Sequence, residues 1–560
     1  MTDKKWMIAA KRADFNEIAR TFGIDPLTAR LIRNRGAVEK DEIQRYLYGT
    51  MEDLGDPYAM RDMDKAVGLT MKEIAGGARI RVIGDYDVDG VMASYILLTG
   101  LRALGADADA AIPDRAVDGY GLSERLIREA ARDGVSFLIT CDNGIAAAKE
   151  VGLAAELGMK VIVTDHHEVF EIPPADAVLD PHRPDCPYPY KSLCGAGVAY
   201  RFIEALTKAA GRRTEEAYGL LPYVAMATVA DIVDLTGENR ILVKEGLKRL
   251  RRTDNEGILA LCEACGIDAA SIDTYHIGYI LGPSINAGGR LDTATRALDL
   301  LFAKGEEARR YAAELRALNE SRKALTEEGV RAAVSRIAEQ GGKLDRVLVL
   351  YLPEVHPSVA GIVAGRIRER VSRPTFILAP SGGEVKGSGR SIPAYSMMQE
   401  LSRVGDILVR AGGHPMAAGL TILPENIDAL RQRLNDACTL EEDDLKDVLH
   451  IDAAVPIRYV SEKLIEEMRL LEPFGKENER PLFAEKDVRI EGCRIIGAKG
   501  NVAKMTLVSG GSRLDAVSFR NAPELVTRVR RDPNLTVAYY PQIDNWNGRR
   551  ILQAVVTDFM

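Results

Sequence analysis

Long hydrophobic runs are missing from this chain. No apolar stretch reaches the ~18 residues needed to cross a bilayer, so no membrane partnership is expected. The opening residues, Met1-Thr2-Asp3-Lys4-Lys5, lack the apolar stretch of a signal peptide. Cysteine is scarce and irregularly spaced, seven in 560 residues, which excludes a disulfide framework and fits reduced thiols in a cytoplasm. Cys262 and Cys265 form one CxxC without the second pair of a structural zinc site. Positive charge is not in excess either. With 74 Lys and Arg against 82 Asp and Glu, the net charge of −8 argues against adhesion to nucleic acid through bulk charge, though not against a local basic groove. The remaining composition, 46% hydrophobic and 28% charged, is that of a globular protein long enough for several domains.

What is present is an alternation. Mostly apolar runs at Ile80–Ile83, Ala108–Ile112, Phe137–Thr140, Val161–Thr164 and Ala177–Leu179 are separated by amphipathic patterns near 91–104, 122–132 and 146–157. That order predicts an α/β domain with a mostly parallel, doubly wound sheet. Ligands of such sheets gather beyond the carboxyl ends of the strands. Three of these strands end in chemistry: Gly84-Asp85-Tyr86-Asp87-Val88-Asp89-Gly90, Asp142-Asn143-Gly144 and Asp165-His166-His167. Carboxylates at every second residue repel one another and raise one another's pKa, unless cations sit among them. The next stretch, roughly 194–303, reads as helical and holds a lone acid in apolar surroundings, Asp231. Asp85, Asp87, Asp89, Asp142, His166, His167 and Asp231 suffice for two divalent cations. Mixed carboxylate and imidazole ligation suits Mn²⁺ or Zn²⁺, with Mg²⁺ admitted if water completes its shell. A pair of cations ~3.5–4 Å apart is a standard device for phosphodiester hydrolysis.

These residues resemble the motifs of the DHH phosphoesterase superfamily, named for the triplet seen here as Asp165-His166-His167. Further motifs follow in order: Ile112-Pro113-Asp114-Arg115 with Gly119-Tyr120-Gly121, Leu193–Gly197, Ala227–Asp231, Gly282–Arg290, His356–Ala364, Gly387–Ser391 and Gly412–Gly419. The set runs from about residue 40 to the C-terminus. The wider superfamily often has a histidine near the position of Asp85, and the aspartate here is similar to the branch of single-strand-specific 5′→3′ exonucleases. Asn143 and Ser358 depart from the commoner Cys and Gly. The resemblance implies that Asp85, Asp87, Asp89, Asp142, His166 and Asp231 hold two Mn²⁺ or Mg²⁺ ions, with Asp87, Asp142 and His167 catalytic. It implies that Arg115, Arg290, Ser388 and Arg390 grip the 5′ end of single-stranded DNA, supported by Asn286, His356 and His414. A single-strand-binding protein and a RecQ-type helicase are the partners it suggests, in DNA repair and recombination. The alternatives are a phosphodiesterase of short oligoribonucleotides or cyclic dinucleotides, and a DNA-binding relative without catalysis.

The second half reads as a separate lobe. Glu306–Gln340 has a single glycine and no proline, and predicts one helix of ~50 Å connecting two lobes. Strands at Val347–Leu352 and Thr375–Ala379, with a helix at about 358–371, predict a second α/β domain, which the resemblance identifies as the DHHA1 module. In Gly387–Ser391 a hydroxyl, backbone amides and a guanidinium read as a phosphate cradle, and a glycine-rich hairpin is the other reading. Residues 441–446 read as a solvated linker. Short β-rich runs from 447 onward predict a small barrel, similar to an OB-fold. Phe519, Tyr539 and Trp546, with Lys499, Lys504, Arg549 and Arg550, are its candidate contacts to a single strand. The expected organisation is therefore an N-terminal segment and DHH domain at 1–304, the connecting helix at 305–342, DHHA1 at 343–440 and the barrel at 447–560.

Overall fold

The structure, a computed structural model, describes residues 4–115, 117–119, 121–339, 344–497, 500–546 and 549–560. It divides into two compact units. The larger comprises Trp6–Asp254, Ile267–Gly282 and His450–Met560, and the smaller Asn255–Gly266 and Pro283–Leu449 with the first few residues.

In the larger unit the predicted alternation forms a five-stranded, all-parallel sheet. Its spatial order is Asp107–Ala111, Arg79–Ile83, Phe137–Cys141, Lys160–Thr164, Ala177–Leu179. Phe137, Leu138, Ile139 and Val163 are fully buried, as expected of strands covered on both faces. The strand order reverses between Arg79–Ile83 and Phe137–Cys141, which pair as Ile83↔Thr140 at their carboxyl ends. A doubly wound sheet opens a crevice at that reversal. The Val88–Ala103 helix covers one face and packs on Gly195–Ala209, where a Cβ at Gly100 would lie 2.5 Å from Ile203.

The C-terminal residues of the same unit form the expected barrel. Phe483–Ile496, Val502–Ser509, Ser512–Ser518, Arg549–Phe559 and Asn534–Trp546 pair in that order, and the first closes on the last with Phe483 opposite Tyr539. The N-terminal segment departs from the expected grouping at 1–304. Ile24, in a helix–helix connection, and Leu31, Ile32, Ile43 and Leu47, from its amphipathic helices, belong to the same buried core as Val488, Met505 and Val537 of the barrel. Arg240 ties these parts together. Its buried guanidinium donates to the carbonyls of Tyr46 (2.9 Å), Leu470 (2.7 Å) and Leu471 (2.8 Å) and lies 4.2 Å from the Tyr46 ring centre.

In the smaller unit the long helix spans Gly305–Glu339, 35 residues or ~52 Å. Gly329 lets it approach Pro357–Val371 closely, since a Cβ there would lie 2.8 Å from Val363. The helices Glu256–Cys265 and Thr295–Phe302 pack on the long helix, so this unit begins well before the expected boundary at 304. Its sheet is mixed, ordered Leu408–His414, Ala417–Ile422, Glu384–Arg390, Thr375–Ser381, Leu348–Tyr351. The stretch 441–446 is not wholly solvated: Leu445 is buried with Leu440 in this domain's core.

Candidate metal centre

The larger unit brings every predicted ligand to the carboxyl ends of the parallel strands, on both sides of the reversal. Asp87 caps the Val88–Ala103 helix, accepting from Gly90 N–H at 3.1 Å. Asp89, in the helix's first turn, accepts from the amides of Gly195 and Ala196 at 2.6 and 2.7 Å. Asp142 follows Phe137–Cys141 in a left-handed conformation (φ 60°), and a Cβ at Gly195 would stand 2.6 Å from its own Cβ. Only glycine therefore lets the Gly195–Ala209 helix begin against the acids. Asp231 caps the C-terminus of Leu221–Ala230. His166 Nε2 lies 3.0 Å from Asp142, 3.6 Å from Asp89 and 3.8 Å from Asp231.

Three sets of ligand atoms each fall within 4.8 Å of one another: Asp85–Asp87–Asp142, Asp142–His166–His167 and Asp89–His166–Asp231. Asp142 and His166 each belong to two sets, the arrangement of neighbouring centres with shared ligands. The electrostatics fit cations. Burial, then the charge of Asp87, pushes Asp85 up to about 8, and its Oδ1 is buried without a hydrogen-bond partner among the described residues. Burial followed by neighbouring carboxylates likewise raises Asp87, Asp142 and Asp231. Packing this many anions is stable when divalent cations replace the missing protons.

The adjacent histidines have different surroundings. Burial lowers the pKa of His166, keeping its ring neutral, as a ligand must be. Burial also opposes charge on His167, but the hydrogen bond from Nδ1 to Asp165 (2.7 Å) and that carboxylate's charge outweigh it, pushing His167 up to about 9. Asp165 accepts as well from the amides of Ile145 and His166, at 2.9 and 2.7 Å. Asp165 is the functional residue that sequence reasoning left without a role, although it opens the triplet. Lys476 has a supporting place: it pairs with Asp234 at 3.0 Å, and its carbonyl accepts from Leu235 N–H at 2.9 Å, bracing the loop after Asp231.

The family models for the DHH family N-terminal domain, the DHHA1 domain and the RecJ OB domain match residues 79–228, 344–440 and 451–558. The single-stranded-DNA-specific exonuclease RecJ of Bacillus subtilis is 36% identical over 562 residues, covering 99% of this chain and 70% of that protein. Its namesake in Salmonella typhimurium is 35% identical, covering 96% of each chain. The chain belongs to the RecJ family. Crystal structures of RecJ from Thermus thermophilus with Mn²⁺ and with Mg²⁺ superpose with TM-scores of 0.83 and 0.78. Their identities are 29% and 28%, and each match covers 99% of this chain and 79% or 78% of that one. RecJ membership accounts for the order of the three domain types along the chain.

Of the residues expected to grip the strand, Arg115 is in the larger unit, exposed, its guanidinium 5.3 Å from the ring centre of Tyr86 between Asp85 and Asp87. The others are in the smaller unit. His356 caps Pro357–Val371, accepting from Ser358 N–H, and Arg290 donates to the Ser358 carbonyl at 3.2 Å. Arg390 reaches the same helix, where a Cβ at Gly361 would lie 3.1 Å from its guanidinium. Asn286 is half-buried on Gly282–Leu291, and His414 is exposed on the edge strand.

Ser388 and Arg390 are not in a phosphate-cradling loop. Residues 387–390 run mid-sheet, Ser388 between Ile377 and Gly419, so their amides serve the two ladders and cannot cradle an anion. Gly387 and Gly389 are there for packing, because a Cβ would come within 2.5 Å of Leu378 and 2.6 Å of Phe376. Only the side chains of Ser388 and Arg390 remain for a phosphate. In the barrel, Phe519 and Lys504 are exposed, but Tyr539 is core, its hydroxyl donating to Val455 at 2.7 Å. Arg550 is paired with Glu462 and Glu466. Tyr120, Lys499 and the side chains of Trp546 and Arg549 lie outside the described residues.

Proposed function

We propose that this chain is a metal-dependent exonuclease that degrades single-stranded DNA 5′→3′ to 5′-mononucleotides. The observation that carries the reading is a pair of ligand sets, Asp85–Asp87–Asp142 and Asp89–His166–Asp231, joined by the 3.0 Å approach of His166 to Asp142 at the strand-order reversal. Relatives named single-stranded-DNA-specific exonucleases, and the Mn²⁺ and Mg²⁺ in the T. thermophilus structures, support it. Asp85, Asp87, Asp89, Asp142, His166 and Asp231 are assigned to two cations, Mn²⁺ or Mg²⁺. When bound, such a pair supplies an activated water and offsets charge on the phosphoryl oxygens.

The chain's own residues do the rest. Asp89 is fixed by the two amides that start Gly195–Ala209. His167, its Nδ1 proton held by Asp165, keeps Nε2 for a phosphate oxygen or the leaving oxygen. Arg115, Asn286, Arg290, His356, Ser388, Arg390 and His414 are assigned to the strand and its 5′ phosphate through charge-assisted bonds. The RecJ OB domain favours this reading over a small-substrate phosphodiesterase, and the intact acid cluster favours it over a non-catalytic binder. An enzyme restricted to single strands needs an activity that unwinds duplex and one that coats the product. That is the reason to assign it a helicase and a single-strand-binding protein as partners, in cytoplasmic DNA repair and recombination.

The test is digestion of 5′-labelled single-stranded DNA, duplex and RNA in Mn²⁺ and in Mg²⁺. Single-stranded DNA should be consumed to mononucleotides from its 5′ end while duplex persists. Equal digestion of duplex, or release from the 3′ end, would sink the assignment.

A further inference from the structure

Two tyrosines of the larger unit, Tyr275 and Tyr279, face solvent. Asp273 caps a helical turn at Thr274–His276, accepting from His276 N–H at 3.0 Å, and the backbone then widens into a π-helical turn at Ile277–Leu281. Such turns are rare and occur often at functional sites. Ile277 and Leu281 are buried, which turns Tyr275 and Tyr279 outward. They are 58% and 71% exposed and stacked on each other, ring centres 5.0 Å apart at 28°. A large exposed aromatic pair contributes little to a core, and such surface marks a binding function.

Its position gives the ligand. A Cβ at Gly282 would lie 3.3 Å from Ala230, and one at Gly278 3.8 Å from Val229, so the π-turn rests on the last turn before Asp231. Tyr279 is three residues from Gly282, a rise of ~4.5 Å. The pair therefore stands on a turn that packs directly against the helix ending at Asp231. Ile232, next to Asp231, is 67% exposed at φ 59°, a conformation rare for a β-branched residue and one that turns another apolar side chain to the surface. Arg251, exposed, donates its Nε to the carbonyl of Ile272 at 2.7 Å, anchoring a guanidinium where the segment begins. Aromatic faces beside a cation are how proteins hold single-stranded nucleic acid without reading its sequence.

We infer that Tyr275 and Tyr279 form a stacking platform for a base of the single strand close to the metal centre, with Arg251 set to meet its phosphate. The inference rests on the reading of single-stranded DNA as substrate.

The experiment uses the full chain with Mn²⁺ bound and oligonucleotides whose 5′-terminal linkages are non-hydrolysable phosphonates, so that nothing is cleaved. Oligonucleotides carry 2-aminopurine at successive positions from the 5′ end, and emission and affinity are recorded. One position should be quenched on binding. Tyr279→Phe should keep the quench, and Tyr279→Ala should lose it while Kd rises about tenfold, as for loss of one stacked base. An abasic residue at that position should erase the difference between wild type and Tyr279→Ala. Equal quench and equal Kd in Tyr279→Ala would overturn the platform, as would a difference that persists on abasic DNA, because the tyrosine would then act through folding. If the wild type binds no single strand at all, the substrate reading fails with it, and that is seen before any variant is made.

Discussion

Each unit has a five-stranded sheet, and the two use glycine in opposite ways. In the parallel sheet the informative glycines lie beyond strand ends or at a helix start. There, Gly195 lets a helix N-terminus reach Asp142 and lets two amides bind Asp89. In the mixed sheet Gly387 and Gly389 are inside a strand, making room for Leu378, Leu420 and Phe376. The first arrangement builds a site and the second builds a core. A parallel sheet aims its strand ends at one crevice and frees its loops for chemistry, while a central strand of a mixed sheet has its backbone groups committed on both sides.

The contrast is broken most severely by the same substitution on each side of it. Gly195→Ala would push Asp142 and the helix apart, and a shift near 1 Å costs about a hundredfold in rate. The clash also overpacks a buried site and should lower stability by about 1–3 kcal/mol, so the signature to record is a fall in kcat, measured well below the unfolding transition, that exceeds any loss of folded protein. Asp165→Asn should come next. It removes the carboxylate charge that holds His167 protonated and turns one of two accepting oxygens into a donor facing a backbone N–H, and loss of such a supporting partner costs about 10–100-fold, measured as kcat in saturating Mn²⁺. In the smaller unit, Arg390→Ala should slow attack on 5′-phosphorylated ends by roughly tenfold, since charge-assisted bonds are worth ~1.5–3 kcal/mol. Ends lacking the phosphate should suffer less, and equal losses on both would assign Arg390 to structure. Gly389→Ala should have the smallest effect on rate. It overpacks the core against Phe376 and Met397 and should lower stability by about 1–3 kcal/mol, seen by denaturant unfolding, with kcat retained below the transition.

The parallel sheet was legible because its signals are local: buried runs, helical patterns between them, and acids or histidines directly after the runs. Asp142 could be paired with the Asp85 loop because one topology sends both to one crevice, whereas Asp231, at the end of a helix, was singled out by its apolar surroundings and made a ligand by the family resemblance. The N-terminal helices sharing a core with the barrel could not be read, since Ile32 and Val537 are about five hundred residues apart and neither marks its partner. Gly387-Ser388-Gly389-Arg390 looked like a phosphate loop because glycine beside Ser and Arg has the same composition in a turn and in a strand. The period-2 placement of Val385, Gly387 and Gly389 on one face was the available sign of a strand. Tyr539 was legible on the same ground: Leu535, Val537 and Tyr539 alternate, and all are buried. The role of Asp165 needed geometry, because a carboxylate that accepts from neighbouring amides and an imidazole is not distinguishable in sequence from a metal ligand.

The central claim is that the acids at the parallel strand ends form two cation centres sharing Asp142. Mn²⁺ binding to the full chain, followed by calorimetry or electron paramagnetic resonance without DNA, tests it most directly. The wild type should take up two Mn²⁺ per chain with a spin-coupled signal. Asp142→Ala should lose that coupling and at least one of the two ions, and its hydrolysis should fall by more than about a hundredfold, beyond the cost of a supporting residue. A wild type that binds a single uncoupled Mn²⁺, or an Asp142→Ala variant that still binds a coupled pair, would contradict the account.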